Sequence, residues 1–253
     1  MNILITGSTG QLGTSLINKL KSSHYNVKLT SRRKPEGTVS FKWVYSDLMS
    51  GEGFEEAVKD VDVIIHAATS PMKNSKNVDV SGFEKFLSKL EHIKHFIYPS
   101  IVGIDEIPFT YYRHKLEAEK VLQKSLVPYS IVRATQFHSF VDQLLLSKPL
   151  MKRYFVPGNI KFQSVDVDDF ADHLISLIEK APQGNIDDFC GPEIMTLREM
   201  AEMKIRINNE TNKVLSLSLP GKLYKALLKG KNTNHNQKIG KVTFEEYLRN
   251  KRN

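Results

Sequence analysis

The chain predicts an α/β fold, a doubly wound parallel sheet with a small C-terminal α/β lobe. Three observations carry this. Short apolar runs alternate with helix-period stretches along most of the 253 residues. The runs are continuous rather than alternating, which suits strands covered on both faces. The first run passes directly into a glycine-rich turn and then a helical pattern.

The elements follow in order. Ile3 to Thr6, Val27 to Thr30, Phe41 to Tyr45, Val61 to His66, His95 to Pro99 and Tyr129 to Arg133 read as strands, rich in β-branched and aromatic residues. Between them Leu12, Leu16 and Leu20 recur at four-residue steps. Phe83, Phe86, Leu87 and Leu90 form an i, i+3, i+4, i+7 stripe, and Leu116, Val121 and Leu122 carry another. Strands alternating with helices imply βαβ units, and right-handed crossovers make the sheet doubly wound. Periodicity weakens from Pro149 to Gly158. A helix with Phe170, Leu174, Leu177 and Ile178 resumes after Asp166, Asp168 and Asp169, acids that favour a helix N-terminus. A short strand at Ile186 to Cys190 and a helix from about Thr196 follow. Beyond Thr211 no element is legible.

Composition narrows the class. Hydrophobic residues make up 40% and charged residues 25%, as in an ordinary globular protein. No apolar run reaches the roughly 18 residues of a membrane helix. The start, Asn2-Ile3-Leu4-Ile5-Thr6, has no basic n-region, so the expected location is the cytoplasm. The single cysteine, Cys190, excludes an internal disulfide and reads as a small half-buried side chain. The net charge is +8, and residues 222–253 hold nine basic and two acidic residues. The remainder is near neutral, which disfavours a global nucleic-acid surface, and the basic tail reads as a solvated terminus, with contact to anionic partners as the alternative. No Cys/His/Asp/Glu cluster has metal-ligand spacing. The single tryptophan, Trp43, reads as core, and His138 as a helix-surface histidine with a substrate-proton role as the alternative.

The strongest motif is Gly7-Ser8-Thr9-Gly10-Gln11-Leu12-Gly13. A strand-to-helix turn needs a residue tolerant of positive φ. A pyrophosphate must also reach backbone N–H groups with no Cβ in the way. The helix N-terminus then supplies unpaired donors and a partial positive charge. A strand before and a helix after are the context that makes the glycine triplet a Rossmann-type dinucleotide loop. The second strand ends in Ser31-Arg32-Arg33 with no carboxylate before Glu36. Guanidinium groups suit a 2′-phosphate, so the cofactor expected is NADP(H) rather than NAD(H). Asp47 accepts an adenine amino group or caps a helix. The expected division is an NADP-binding domain over 1–185, with residues 136–163 lining a substrate cleft, and a C-terminal lobe over 186–253.

On these residues the chain resembles the extended and atypical short-chain dehydrogenases/reductases, most of all the NmrA-like NAD(P)H-binding group. The GxxGxxG loop carries the likeness. It extends to His66-Ala67-Ala68-Thr69, Ser100, the YxxxK of Tyr111 to Lys115, Ala134-Thr135-Gln136-Phe137 and later segments, over roughly residues 1–205. The resemblance implies cofactor contacts from Gly7, Ser8, Thr9, Gly10, Gln11, Leu12 and Gly13, then from Arg32, Arg33 and Asp47. It adds Ala67, Ala68, Thr69 and Lys115, and Ala134, Thr135, Gln136 and Phe137 at the nicotinamide end. It implies a catalytic set of Ser100, Tyr111 and Lys115. Tyrosine, with an ordinary pKa near 10, is a poor base at neutral pH. A lysine one helical turn away lowers that value and grips the nicotinamide ribose. Tyr112, three residues before Lys115, is the alternative tyrosine.

Two functional classes fit. One is an NADP(H)-dependent oxidoreductase acting on a small carbonyl, quinone or similar acceptor, with apolar residues from Phe137 to Leu146 implying an apolar small-molecule substrate. The other is a non-enzymatic NADP(H) redox sensor. A sugar-nucleotide epimerase is the third reading. The expected state is monomer or homodimer.

Overall fold

The computed structural model describes residues 1–36 and 41–252. In chain order the elements are β1 (Asn2–Thr6), α1 (Gln11–Leu20), β2 (Asn26–Ser31), β3 (Lys42–Tyr45), α2 (Phe54–Val58), β4 (Val63–His66), α3 (Phe83–Leu87), β5 (His95–Ile101), α4 (Thr110–Lys124), β6 (Tyr129–Ala134), α5 (His138–Phe140), β7 (Arg153–Val156), β8 (Lys161–Phe162), α6 (Val167–Ile175), β9 (Gly184–Asn185), β10 (Met195–Thr196), α7 (Leu197–Ile207), β11 (Lys213–Ser216), α8 (Lys222–Leu228) and α9 (Phe244–Arg252). Two π-helical turns, Lys76–Gly82 and Val141–Leu145, lead into α3 and out of α5.

The chain forms two units, one of residues 1–100, 110–132 and 171–186, the other of 101–109, 133–170 and 187–253. The division expected between 185 and 186 lies beside one of these crossings. The others group residues 133–170 with the C-terminal segment.

The seven-stranded parallel sheet has the order β3-β2-β1-β4-β5-β6-β9. β1 pairs with β2 on one side and β4 on the other, Ile3 facing Val27 and Val63. Strand order reverses there, so the carboxyl ends of β1 and β4 open the crevice in which such sheets bind ligands. The six expected strands form it, and the short strand expected at Ile186 to Cys190 is instead β9, with Phe189 bridging Ala134. Leu4, Ile64, Phe83, Phe86, Phe96 and Tyr98 lie in its core.

The second unit has its own core, including Tyr154, Phe162, Met200 and Phe244. The helix expected from Thr196 is α7, closed by a reciprocal capping box between Thr196 and Glu199. Asp166 Oδ1 accepts from the amides of Asp168 and Asp169 at the start of α6, as the acid cluster implied. The terminus departs from expectation. The basic tail is folded as α9, with Phe244 and Leu248 buried, because these two residues supply an apolar stripe that a charge count overlooks. His138 is likewise buried, not on a helix surface. Its Nδ1 meets Ser164 Oγ at 2.8 Å, its Nε2 meets the Val242 carbonyl at 2.9 Å, and burial lowers its pKa.

One buried carboxylate ties these pieces together. Asp142 receives Lys204 Nζ at 2.7 Å, Lys251 Nζ at 2.6 Å and Tyr247 Oη at 3.2 Å. Burial raises its pKa, but the two lysines outweigh that and hold it below the carboxylate range. Asp142→Ala leaves the buried Lys204 without a counter-charge, its Nζ keeping only the backbone carbonyls of residues 142 and 146. It is expected to cost about 3–5 kcal/mol in urea unfolding. The half-exposed Lys251, replaced by Met, is expected to cost below about 1 kcal/mol. Asp142's contribution is present above the unfolded carboxylate pKa of about 3.9 and is lost as pH falls through its lower folded value.

Candidate functional site

The glycine loop is built by contact. Gly7 has φ +65°, and a Cβ there would lie 2.6 Å from the Ala68 N and Cα. A Cβ on Gly13 would lie 2.3 Å from the Gly7 carbonyl oxygen. Only hydrogen fits at either position, so the turn packs against the exit of β4 and the start of α1. Ala68 is fixed in turn, its N–H donating to Thr6 Oγ1 at 3.2 Å. Gly10 caps α1 without a side-chain bond, and its N–H closes the turn on the Gly7 carbonyl at 2.9 Å. Thr9, Gly10 and Gln11 are exposed, Leu12 is buried, and the α1 N-terminus presents backbone donors with a partial positive charge.

Ser8 faces inward and donates to Ser31 Oγ at 2.8 Å. Ser31 Oγ also accepts from Trp43 Nε1 at 3.0 Å and donates to the Arg33 carbonyl at 2.5 Å. Trp43 is therefore a half-buried hydrogen-bond donor that pins the end of β2, rather than core filling. Arg32 and Arg33 follow that pin and are exposed. Asp47 lies past β3, where its Oδ1 accepts from the Met49 N–H at 2.9 Å. That is an Asx turn. The helix cap weighed for Asp47 is supplied by Gly53 at the start of α2.

Beyond β4 two chains of hydrogen-bonded side chains meet successive turns near the start of α4. In one, Thr69 Oγ1 donates to Asp79 Oδ1, and Tyr111 Oη, 2.7 Å from Thr69 Oγ1, donates to it. The other Asp79 oxygen accepts from the Ser70 N–H at 3.1 Å. Asp79 sits on a π-helical turn, a distortion frequent at functional sites. In the second chain Lys115 Nζ donates to Tyr98 Oη at 2.7 Å and to the Pro99 carbonyl at 3.0 Å, 3.9 Å above the Tyr98 ring. Burial lowers the Lys115 pKa to about 8, against opposing pulls from Asp79 and Glu119.

This corrects the electrostatics expected of the YxxxK pair. Burial, then the Asp79 charge, push the Tyr111 hydroxyl well above the ordinary tyrosine range instead of below it. The ammonium that was to lower it is bonded to Tyr98 and Pro99. Tyr112 is half-buried, its ring 6.2 Å from that of Tyr111. Ser100 Oγ is buried and has no hydrogen-bond partner among the described residues. His66 is enclosed by Phe83, Phe86, Phe96 and Tyr98, and burial, then Lys115, lower its pKa to about 3, so it is neutral. Sequence reasoning missed Tyr98, hidden in an apolar run, and Asp79, in a stretch without helical period.

In the second unit Ala134 ends β6. Thr135 Oγ1 accepts from the Gly191 N–H at 3.3 Å, Gln136 Oε1 from Asn232 Nδ2 at 3.4 Å, and Phe137 bridges Val165. Cys190 is fully buried, and burial, then Asp188, push its thiol up to about 12, which fits a structural thiol.

A strand, a cradle that excludes any Cβ and a helix N-terminus at the sheet's switch point define a dinucleotide-binding Rossmann protein. The chain belongs to the NAD(P)H-binding family, whose model matches residues 7–179. It is 24% identical over 169 residues to the photosystem II assembly factor Ycf39 of Trieres chinensis, covering 62% of this chain and 50% of that protein. The chain thus spans half the length of that curated relative. Among solved structures it is similar to the NADPH-dependent quinone oxidoreductase QOR2 of Escherichia coli complexed with NADPH. The TM-score is 0.80 at 18% identity, over 99% of this chain and 100% of that one. It is also similar to UDP-glucuronic acid 4-epimerase of Bacillus cereus, with TM-score 0.77 at 20% identity over 98% and 96%. No helix among the described residues is long and apolar enough to cross a membrane.

The buried lysine gives a signed pH effect. The unfolded chain keeps that proton to about pH 10.4, whereas the folded state releases it near pH 8. Stability from this residue therefore rises by about 1–3 kcal/mol between those values. Urea titrations of the wild type across that range are expected to show the rise, and Lys115→Met to remove it.

Proposed function

We propose that the protein is an NADP(H)-dependent oxidoreductase acting on a small carbonyl, quinone or similar acceptor. The observation that carries this reading is the Cβ-excluding cradle of Gly7 and Gly13 at the N-terminus of α1, followed at the end of β2 by two exposed guanidinium groups. Backbone N–H groups at the N-terminus of α1 receive the pyrophosphate, those of Ser8 and Gly10 being engaged by the Thr30 and Gly7 carbonyls, and Arg32 and Arg33 receive a 2′-phosphate through charge-assisted bonds. Asp47 keeps one carboxylate oxygen beyond its Asx turn for the adenine side. Ala67, Ala68 and Thr69 border the loop where Gly7 touches Ala68. Ala134, Thr135, Gln136 and Phe137 are assigned to the nicotinamide end by resemblance alone.

A bound nicotinamide supplies a hydride. The residues of the chain handle the proton and the position of the acceptor. Ser100 Oγ, buried and without a partner among the described residues, donates to an acceptor oxygen. Tyr111 is the proton donor. Its raised pKa suits a group that stays protonated until oxyanion charge develops beside it. Lys115 leaves the Pro99 carbonyl to hold the ribose. The location expected remains the cytoplasm.

One observation favours the second reading, a cofactor-binding sensor without turnover. The Tyr111 proton points inward along Thr69 to Asp79, and Lys115 is held on Tyr98. Tyr111→Phe separates the two. In an enzyme it is expected to lower kcat with NADPH and a panel of quinones and aldehydes by about 10²–10⁴-fold, with NADPH affinity unchanged. A wild type inactive on the whole panel, yet binding NADPH, supports the sensor. Arg32→Ala is expected to weaken NADPH by about tenfold or more and leave NADH unaffected, read by calorimetry. Equal weakening of both contradicts the 2′-phosphate assignment.

A further inference from the structure

We propose that the β7–β11 face of the second unit is a docking surface for an anionic lipid bilayer. The pattern begins in the sequence Leu215-Ser216-Leu217-Ser218-Leu219, where period-two spacing puts three leucines on one side of an extended chain. Ser216 lies on the opposite side, in register with the buried Val156 and beside Gly158, where an added Cβ would lie 2.2 Å from Ser216 Oγ. The leucines face solvent, with Leu217 43% and Leu219 47% exposed. Across the parallel pair Phe155 stands in register with Leu215, and both are exposed. Their neighbours Tyr154 and Val214 belong to the core. The turn entering β7 adds Leu150 at 67% and Met151 at 82% exposure. Apolar side chains gathered on one exposed face of a soluble unit mark an interaction surface.

Charge selects the occupant. From Leu150 through β7, and from β11 through α8, the charged residues are Lys152, Arg153, Lys213, Lys222 and Lys225, with no Asp or Glu, whereas Lys231 further along is paired with Glu106. Lys213 is in register with Arg153, beside the leucines. Lys213, Lys222 and Lys225 form no ion pair with described residues. A second copy docking face to face would set these cations against themselves. A nucleic acid is read by arginines and aromatic stacking, and this face offers one arginine and one phenylalanine among aliphatic tips. Lysines interleaved with exposed leucine and methionine suit a bilayer with acidic headgroups, where apolar tips enter the interface and lysines meet phosphate.

The test is sedimentation of the full chain with phosphatidylcholine vesicles, with and without phosphatidylglycerol. Binding is expected only with phosphatidylglycerol, weakening as salt rises. L217S/L219S is expected to lower it by about tenfold or more. K222E and K225E are expected to lower it about fivefold each. Thermal midpoints should stay at the wild-type value, because all four positions are exposed. The proposal is overturned if no binding to phosphatidylglycerol vesicles occurs at low salt, or if L217S/L219S binds like the wild type. It is also overturned if these leucines instead govern a concentration-dependent dimer or retention of a labelled oligonucleotide.

Discussion

The close approach of Gly7 to Ala68 is the constraint on which the rest of the first unit depends. It brings the end of β1 against the end of β4, and Gly13 against the Gly7 carbonyl locks α1 to the same turn. Thr6 secures the arrangement from beneath, since one hydroxyl engages both the Ala68 N–H and the His66 ring. His66 in turn fills a cage of aromatic rings under the sheet's switch point. An anion-receptive helix terminus is thus held by packing that tolerates no added methyl group, which is preorganisation in a physical sense.

Next to this cradle the protein keeps several buried polar side chains, among them Ser31, Asp79 and Lys115. Ser31 engages Ser8, Trp43 and the Arg33 backbone, so the end of β2 is held by a fully used hydroxyl. Lys115 and Asp79 are both buried, each satisfied by its own partners rather than by direct pairing with the other. Such groups are costly to desolvate and persist where their orientation matters. In the second unit Asp142 plays the corresponding part, joining the π-helical turn after α5 to α7 and α9.

Much of the fold was legible because it rests on local rules. Continuous β-branched runs located the six central strands, and Thr196 with Glu199 announced α7 through capping chemistry. The glycine loop was legible because its spacing encodes a steric demand. The partners of the site residues were not. Tyr98 lies in Phe96-Ile97-Tyr98, indistinguishable by pattern from core, and its hydroxyl acquires meaning only when α4 brings Lys115 to it. Asp79 was hidden by a π-helical turn, which breaks the 3.6-residue period. The terminal helix escaped because nine basic residues mask the two apolar positions, Phe244 and Leu248, that bury it. In each case the deciding contact spans many residues, and a local pattern holds no information about it.

The central claim is that the cradle of Gly7 to Gly13 receives a nicotinamide dinucleotide. Hydrogen exchange of the full chain with and without NADPH tests it most directly. The account predicts slowed exchange of the amides of residues 8–14 and 67–69 on addition of NADPH. Unchanged exchange there at saturating NADPH, or protection confined to other segments, would contradict it.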